Sequence, residues 1–459
     1  MKRKGNSAPS KRKKEWEAYQ QILQIALPIM VQNLFSAAIS SADVIMLNSV
    51  GQSAISAVSL AVQYSNVIFM VYYGLGAGAS MLGAQYWGKG DLRSIEKVQG
   101  IALRFTIAIS ALFAGAAAFA PELMMKVFTN DPELIQIGCS YLRIISVSYL
   151  CWGISEIYMS VLRSVERVKI SMVLNVSALL INICLNAVFI YGLFGMPKLG
   201  AAGAALATTI SRLIQLIACV AVSVYSKDVK LKVSALFGKS GLLMKDYVRL
   251  SLPALGSDLM WSTGVSAYTA IMGHISSDLV AANSIVTVVR NFGTVLCYGV
   301  ASACMIIVGK ELGANDFEKA EADTRRSMVL TIAAGIGGGL VVALIRPFVL
   351  HFAALSPTAM GYLSIMLLIN TYYIMGTAID STCIAGLFRA GGDSRYGFIC
   401  DAVGMWAYAV PVGCIAAFVL KLPPMWVYFL VCTDAFFKWP LVIRHYRSRK
   451  WMQNITREN

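Results

Sequence analysis

The sequence predicts an all-α membrane protein with twelve transmembrane helices in two six-helix lobes that are related by a parallel internal repeat. Of its 459 residues, 57% are hydrophobic and 14% are charged, so the chain has too little polar surface to cover a water-facing body of this size. Its apolar residues form continuous runs, whereas the strands of a membrane β-barrel alternate in polarity. In addition, short motifs recur about 225 residues apart.

The apolar runs define the domain organisation, because about 20 apolar residues cross the hydrocarbon core as a helix. They predict a basic N-terminal tail (1–18), a first lobe (19–225), a polar linker (226–247), a second lobe (248–444) and a C-terminal tail (445–459). The predicted spans cover residues 19–47, 53–83, 98–120, 134–162, 170–192, 200–225, 248–272, 281–308, 325–347, 361–387, 396–420 and 424–444.

Positive charge is distributed unevenly between the two sides of these spans. With the N-terminus inside, 32 Lys and Arg residues lie on that side, four lie on the other side, and three lie within spans. Basic loops stay in the cytoplasm, so we expect a multi-pass protein of the bacterial-type inner (plasma) membrane with both termini cytoplasmic. The net charge of +15 then reflects topology and anionic lipid headgroups, and it does not indicate nucleic acid as a partner.

Several chemistries lack their sequence signals. The ten cysteines are scattered without a C-x-x-C pair, which predicts buried thiols and not a metal or disulfide framework. The segment Gly238-Lys239-Ser240 has Val233 where a phosphate-binding loop needs glycine, so ATP is not the expected energy source. The three histidines share no helix face with a carboxylate cluster, which disfavours a membrane-embedded enzyme.

The repeat has a nearly constant offset along the chain. Leu27-Pro28 recurs as Leu252-Pro253, and Gly88-Lys89-Gly90-Asp91 recurs as Gly313-Ala314-Asn315-Asp316, both at an offset of 225. Leu162-Arg163-Ser164 is echoed by Phe388-Arg389-Ala390 at an offset of 226. Each half has an even number of spans, so the two copies have the same orientation and are related by an axis along the membrane normal. Two lobes around a central cleft favour alternating-access transport over a static helical bundle.

The chain resembles the multidrug and toxic compound extrusion (MATE) family over almost its whole length. The motifs that carry this resemblance are ALPIMVQN, SADVIMLNSVG, GAQYWGKGD, LRSVERVK, INICLNAVFIYG, GAAGAALATT, VGKELGANDFEKA and GLFRAGGDSR. The resemblance implies twelve helices in two lobes arranged as a V. It also implies efflux of organic, cationic or amphipathic compounds by antiport with protons or sodium, with no cofactor beyond the coupling ion.

Some alternatives remain open. A flippase for a lipid-linked or amphipathic precursor is the nearest one. Membership of the major facilitator superfamily is disfavoured, because the loop after the second span lacks the motif of that group. The expected partners are a small-molecule substrate and the lipid bilayer, and no obligate protein partner is implied.

Four polar residues in the first lobe form a candidate cation-coupling pocket. Asp43, Asn182, Asn186 and Thr208 lie at comparable depth in spans one, five and six, where polar residues are costly and often functional. The set resembles that of the DinF-like branch of the family, in which the position of Asn186 is a carboxylate. A single carboxylate favours a proton as the coupling ion, because burial favours its neutral form, but sodium stays open. Arg212, one turn beyond Thr208, either pairs with Asp43 or faces the cleft.

The second lobe carries Asp258, Asp380, Asp401 and Asp434 within its spans. Asp434 and Lys438 are one helical turn apart and predict a structural ion pair. Asp258 or Asp380 is a tentative site for a cationic substrate, with cation–π contacts from Trp261, Tyr268 and Tyr372. In the NorM-like branch, carboxylates in spans seven and ten bind the coupling cation, but their spacing differs from that seen here.

One proline lies in the first helix of each half. Pro28 and Pro253 each remove a backbone donor, so both are predicted hinges. A bend at Pro28 would couple the charge of Asp43 to the shape of the first lobe.

Overall fold

The protein is all-helical in a computed structural model. The structure describes residues 11–48, 50–226, 229–238, 241–353 and 355–457, and it contains no β-strand within these ranges. The N-lobe contains α1 (Lys11–Asn48), α2 (Gln52–Lys89), α3 (Leu92–Phe119), the short α4 (Pro121–Lys126), α5 (Pro132–Ser164), α6 (Val168–Tyr191) and α7 (Gly200–Tyr225). After the short α8 (Val233–Phe237), the C-lobe contains α9 (Gly241–Ile275), α10 (Ser277–Gly313), α11 (Phe317–Phe352), α12 (Pro357–Phe388), α13 (Ser394–Val419) and α14 (Pro424–Ser448).

Eleven of the described helices are long and apolar enough to cross a membrane. The twelfth expected span is α9, which has 35 residues but also carries Asp258 and, near its start, Lys245, Asp246 and Arg249. Since an α-helix rises about 1.5 Å per residue, α9 is long enough to cross a bilayer. The prediction of a twelve-helix membrane protein is therefore confirmed.

Most helices begin or end beyond the predicted spans. For example, α2 ends at Lys89 and α11 begins at Phe317, several residues outside the apolar runs. Asp91 and Asp316 cap the next helices by accepting hydrogen bonds from the backbone N–H groups of Ser94 and Lys319 at 3.0 and 3.1 Å. These caps start the helices in polar sequence, outside the hydrocarbon core.

The helix bounds repeat with the offset seen in the sequence. The starts of α2, α3 and α5 precede those of α10, α11 and α12 by an offset of 225 in every case. The turns match as well: Gly90 and Asn315 are equivalent and both have positive φ, as do the equivalent Glu166 and Gly392. The left-handed region favours glycine and asparagine, so Glu166 is the exceptional residue among these four.

Two equivalent glycines mark the axis that relates the lobes. A Cβ on Gly88 would lie 1.7 Å from the carbonyl oxygen of Lys310, and a Cβ on Gly313 would lie 1.9 Å from that of Gln85. Gly88 and Gly313 are related by the repeat offset, as are Gln85 and Lys310. The two contacts are therefore exchanged by one rotation, which is the expected parallel relation between the repeats.

Among the described residues, the lobes share hydrophobic cores at one side of the molecule. We call this the terminal side, because α2 and α10 end there next to residues 449–457. Here α2, α3 and α5 pack with the start of α9, and α1 packs with α10. Toward the opposite side, each lobe has a separate core. The two lobes thus meet at the terminal side and separate toward the other, as the two arms of a V do.

Polar contacts join the lobes at the terminal side. The Glu166 carboxylate accepts hydrogen bonds from Lys310 Nζ at 2.8 and 2.9 Å and from Trp87 Nε1 at 3.2 Å. Gln85 Nε2 donates to the carbonyl oxygen of Ala390 at 2.7 Å. This ion pair explains why a glutamate occupies the left-handed turn. The conformational cost of that backbone is confined to one residue.

Residues 449–457 lie across this junction. Gln85 of the N-lobe binds the backbone of Gln453 and Ile455, at 3.0 and 2.8 Å. On the C-lobe, Asn454 donates to Asn315 at 2.7 Å, and Arg457 Nη2 donates to Asp246 at 2.8 Å. The segment therefore touches both lobes at once.

The described part of the linker is partly helical, and the two prolines lie inside helices. The linker 226–247 includes α8 and the first turns of α9, and Arg104 of α3 holds α8 by donating to the carbonyl oxygen of Ala235 at 3.0 Å. Pro28 and Pro253 lie inside α1 and α9, where a proline leaves one carbonyl oxygen without its helical partner. Their role as hinges stays a prediction.

Candidate functional site

Three of the four residues predicted for the N-lobe pocket lie together. Asn182 Nδ2 donates to Thr208 Oγ1 at 3.2 Å, and Asn186 Nδ2 donates to Asn182 Oδ1 at 3.3 Å. Asn182 and Asn186 are buried one turn apart on α6, and Thr208 faces them from α7. The contacts link two membrane helices through neutral amides and a hydroxyl.

The fourth residue, Asp43, belongs to α1, but its side chain lies outside the residues whose side chains the structure describes. One turn later on the same helix, the carbonyl oxygen of Met46 accepts a hydrogen bond from Tyr191 at 3.4 Å. Because Tyr191 ends α6, the segment that contains Asp43 passes beside the helix that carries both asparagines.

The N-lobe pocket continues along α7 toward the terminal side. Arg212 Nη1 donates to Gln215 Oε1 at 2.9 Å, and Gln215 Nε2 donates to Asn175 Oδ1 at 3.3 Å. The Arg212 guanidinium also lies 4.6 Å from the ring centroid of Trp152, within cation–π distance. The contacts described for Arg212 are therefore with an amide and an indole ring. Whether it pairs with Asp43 or faces the cleft stays a prediction.

The N-lobe also holds an acidic residue that the sequence analysis did not single out. Glu156 of α5 forms an ion pair with Arg163 at 2.9 Å, and both side chains are mostly buried. Arg163 further donates to Ser160 at 2.7 Å. The seven-residue spacing of these charges on one helix is the signal that was available in the sequence.

The C-lobe cluster consists of Asp380, Asp401, Asp434 and Lys438. Lys438 Nζ lies 2.9 Å from Asp380, 3.3 Å from Asp401 and 3.9 Å from Asp434. The side chain of Lys438 is 3% exposed, and none of the three carboxylates exceeds 10%. The pair of Asp434 and Lys438 predicted from the sequence is present, but its distance is the longest of the three.

The C-lobe cluster has more negative than positive groups. One ammonium faces three carboxylates, and Oδ1 of Asp380 and Oδ1 of Asp434 are buried without a hydrogen-bond donor among the described residues. Buried carboxylate oxygens without donors are costly. The arrangement can therefore gain stability by binding a proton or another cation.

The helices around the C-lobe cluster depart from regular geometry. Wider π-helical turns begin directly after Asp380, at Ser381–Phe388, and shortly after Asp401, at Val403–Ala409. Such turns are rare and occur frequently at functional sites. They also shift the register of the side chains that follow, which sequence spacing alone does not predict.

Asp258 is connected to the C-lobe cluster through a neighbour. Its carboxylate accepts a hydrogen bond from Arg389 at 2.8 Å, and the adjacent Ser257 donates to Asp401. The two tentative substrate residues, Asp258 and Asp380, thus belong to one connected network, although each has its own cationic partner.

The three aromatic residues predicted with them are not gathered at one point. Tyr268 is buried and donates to the sulfur of Met405 at 2.8 Å. Tyr372 packs against Phe429 and Phe436, with ring centroids 5.9 and 5.6 Å apart. Trp261 is exposed at 36%. Tyr268 and Tyr372 therefore belong to the packing of the C-lobe interior, and Trp261 lies at its surface.

The repeat relates the N-lobe pocket and the C-lobe cluster residue by residue. Three pairs share an offset of 226 and occur in equivalent helices. The cation Arg212 corresponds to Lys438, the hydroxyl of Thr208 to the carboxylate of Asp434, and the amide of Asn175 to the carboxylate of Asp401. This register was the signal in the sequence that could have identified the C-lobe cluster.

Comparison with known proteins agrees with this architecture. The MatE family model matches residues 28–188 and 253–415, one segment in each lobe. The chain is 22% identical to the uncharacterized transporter YisQ of Bacillus subtilis, over 94% of this chain and 95% of that protein. It is 27% identical to a probable multidrug resistance protein NorM of Bradyrhizobium diazoefficiens, over 88% and 87% of the two chains.

A solved structure has the same fold. It is described as the outward-facing conformation of a multidrug resistance MATE family transporter, and it superposes with a TM-score of 0.83 at 20% identity, covering 94% of this chain and 97% of the other. The DinF-like branch is not confirmed by these relatives, so that assignment stays a prediction. The family consists of transporters and not enzymes. Since its model matches most of the chain, in both lobes, the chain belongs to the MatE family of multidrug and toxic compound extrusion transporters.

Proposed function

We propose that this protein exports organic, cationic or amphipathic compounds from the cytoplasm by antiport with protons or sodium ions. The observation that carries the proposal is the excess of buried carboxylates over cations in the C-lobe cluster, with two carboxylate oxygens lacking donors among the described residues. A site of this kind inside a membrane lobe attracts a cationic group, which supports a transporter of cationic compounds.

The proposed route follows from how the lobes meet. They pack together at the terminal side, which the uneven distribution of basic residues assigns to the cytoplasm of a bacterial-type inner membrane. In this arrangement the space between the lobes opens away from the cytoplasm. Rocking of one lobe against the other would then open the terminal side and close the opposite one.

We assign coupling to the N-lobe pocket, with Asp43 as its carboxylate and Asn182, Asn186 and Thr208 as neutral partners. The hydrogen bonds among the three neutral residues support this assignment, because they form a polar site beside the helix that carries Asp43. A change of charge at Asp43 would alter hydration there and bend α1 at Pro28.

The C-lobe supplies negative charge to a cationic substrate in this proposal. Asp258 and Asp380 are linked through Ser257 and Asp401, and we keep Trp261, Tyr268 and Tyr372 of the same lobe as tentative aromatic partners of the substrate. Aromatic rings and carboxylates together favour cationic amphipathic compounds.

Transport by purified protein in liposomes tests this function. We expect uptake of a fluorescent organic cation when a proton or sodium gradient is imposed, each separately, and no requirement for nucleotide. Empty liposomes and a collapsed gradient are the controls. Transport that depends strictly on ATP, or that proceeds equally without any gradient, would refute the antiport mechanism.

A further inference from the structure

Arg290 is a cationic side chain in the membrane-spanning part of α10 that the proposed function does not use. Its guanidinium has no hydrogen bond or ion pair with any residue that the structure describes, and its one ring contact is with Tyr373, 6.0 Å from Cζ to the ring centroid. Two other arginines, both mostly buried, have acidic partners: Arg163 binds Glu156, and Arg389 binds Asp258. A charged group without a partner at this depth is costly and marks a functional position.

Arg290 lies inside the C-lobe and not on its lipid-facing surface. It is close enough to Tyr298, Tyr373 and Tyr428 to interact with them electrostatically, and Tyr268 of α9 is within the same range. These tyrosines come from four helices, α9, α10, α12 and α14. Arg290 nevertheless keeps part of its surface accessible. The side chain therefore lies among the helices of the C-lobe and is partly accessible.

The fold itself does not need a cation at this position. The equivalent residue of the N-lobe, at the repeat offset of 225, is Ser65, whose hydroxyl is hydrogen-bonded to Tyr149 at 2.9 Å. The equivalent site is thus satisfied by a small neutral residue in the other repeat. Arg290 is an addition to the packing that both lobes share.

No carboxylate of the C-lobe cluster forms an ion pair with Arg290 in the described part of the chain. Asp380, Asp401 and Asp434 surround Lys438, and Asp258 is bound to Arg389. The planar guanidinium offers five donors in a fork that fits the oxygens of an anion. Lipid headgroups lie at the membrane surface, so an anion that reaches Arg290 belongs to a compound that enters the lobe.

We propose that Arg290 is a specificity-determining residue that binds an anionic group, such as a carboxylate, on an amphipathic substrate. Tyr298, which is partly exposed beside Arg290, offers a ring to the aromatic body of that compound. A cationic group on the same compound is attracted by the excess carboxylates of the C-lobe cluster. The inference rests on the proposed function, because it assigns a substrate feature to the same lobe.

The test uses two dyes that differ only at the anionic group: rhodamine 110, which has a free carboxylate, and rhodamine 123, its methyl ester. Binding to purified protein is measured by fluorescence anisotropy without any ion gradient. We expect Arg290→Gln to weaken binding of the carboxylate dye at least about tenfold, since the variant loses hydrogen bonds between two charged groups. Binding of the ester should change less than about twofold, and Arg290→Lys should lie between wild type and Arg290→Gln.

Arg143→Gln is the matched control, because Arg143 is exposed on α5 in the other lobe and both dyes should bind that variant normally. Equal loss of both dyes in Arg290→Gln, or no loss of either, overturns the inference. A wild-type protein that binds the ester as tightly as the carboxylate also overturns it, and this comparison does not depend on any variant folding. Gradient-driven transport of the ester by wild type tests the proposed function separately, so the two can fail independently.

Discussion

In the N-lobe pocket the guanidinium of Arg212 is bound by the neutral amide of Gln215, whereas in the C-lobe cluster the equivalent Lys438 is surrounded by three carboxylates. The repeat therefore keeps a cation at the same place in both lobes and changes what surrounds it. The described partners of Arg212 are neutral, so the charge of the N-lobe pocket depends on nearby acids such as the proposed Asp43. Acidic partners make a site that carries excess charge by itself. The comparison teaches that one scaffold can hold two electrostatically different sites, and so two different tasks.

The largest expected effect comes from removing the cation from each lobe. Lys438→Met leaves three buried carboxylates without their ammonium, and breaking such an arrangement costs about 3–5 kcal/mol. The described contacts that Arg212→Met removes are a hydrogen bond to an amide and a cation–π contact, which together contribute about 1–2 kcal/mol. Thermal unfolding of the purified variants in one detergent should therefore show a much larger loss for Lys438→Met. Lys438→Arg is the control that keeps the charge, and equal losses for the two methionine variants would mean that the lobes do not differ in this way.

The next expected effect concerns which lobe carries coupling. Asp43→Asn keeps the shape and removes the charge, so the protein should still be produced and inserted while gradient-driven export falls at least about tenfold. The measurement is export from liposomes at several pH values, with protein amount verified by gel filtration. Asp434→Asn is the matched variant in the C-lobe cluster. If Asp434→Asn abolishes the pH dependence and Asp43→Asn does not, coupling belongs to the C-lobe.

The smallest expected effect makes the N-lobe pocket more like its counterpart. Asn186→Asp adds a second carboxylate beside Asp43 in the proposed pocket, and two such groups titrate as a coupled pair, so the pH profile of export should move by roughly one unit. Asn175→Asp gives this position the aspartate of its repeat equivalent, Asp401. It should move the pH profile less, because Gln215 connects this position to the cation of Arg212. Identical profiles for wild type and Asn186→Asp would contradict a coupling role for the pocket.

The fold was accessible from the sequence because its main determinants are local or repeated. Continuous apolar runs specify membrane helices regardless of their neighbours, and the constant offset of the repeated motifs orders twelve of them into two parallel halves. The ends of the helices were less predictable, since Asp91 and Asp316 start helices in polar sequence. A hydropathy profile does not report these polar capping residues, so it does not predict where the helices begin.

The candidate sites were only partly predictable. Asn182, Asn186 and Thr208 could be grouped because helical spacing and depth place them on facing helices. The C-lobe cluster depends on α12, α13 and α14 packing around Lys438, and on π-helical turns that alter register. Spacing within one helix identified only its longest contact, that between Asp434 and Lys438. Arg290 was counted as a charge within a span, but its lack of a partner among the described residues is visible only when the neighbouring helices are in place.

The segment 449–457 has a practical consequence for anyone who purifies or labels this transporter. Trp451 is buried, and the backbone oxygen of Arg457 accepts a hydrogen bond from Lys89 of the N-lobe at 2.5 Å. A tag joined close behind Arg457 would therefore lie against the junction between the lobes. A fluorescent protein at that position would lie close to the junction between the lobes and would hinder a rocking motion of the lobes. Affinity handles are better attached through a long spacer, whereas a small dye on the same segment becomes a local reporter of opening at this junction.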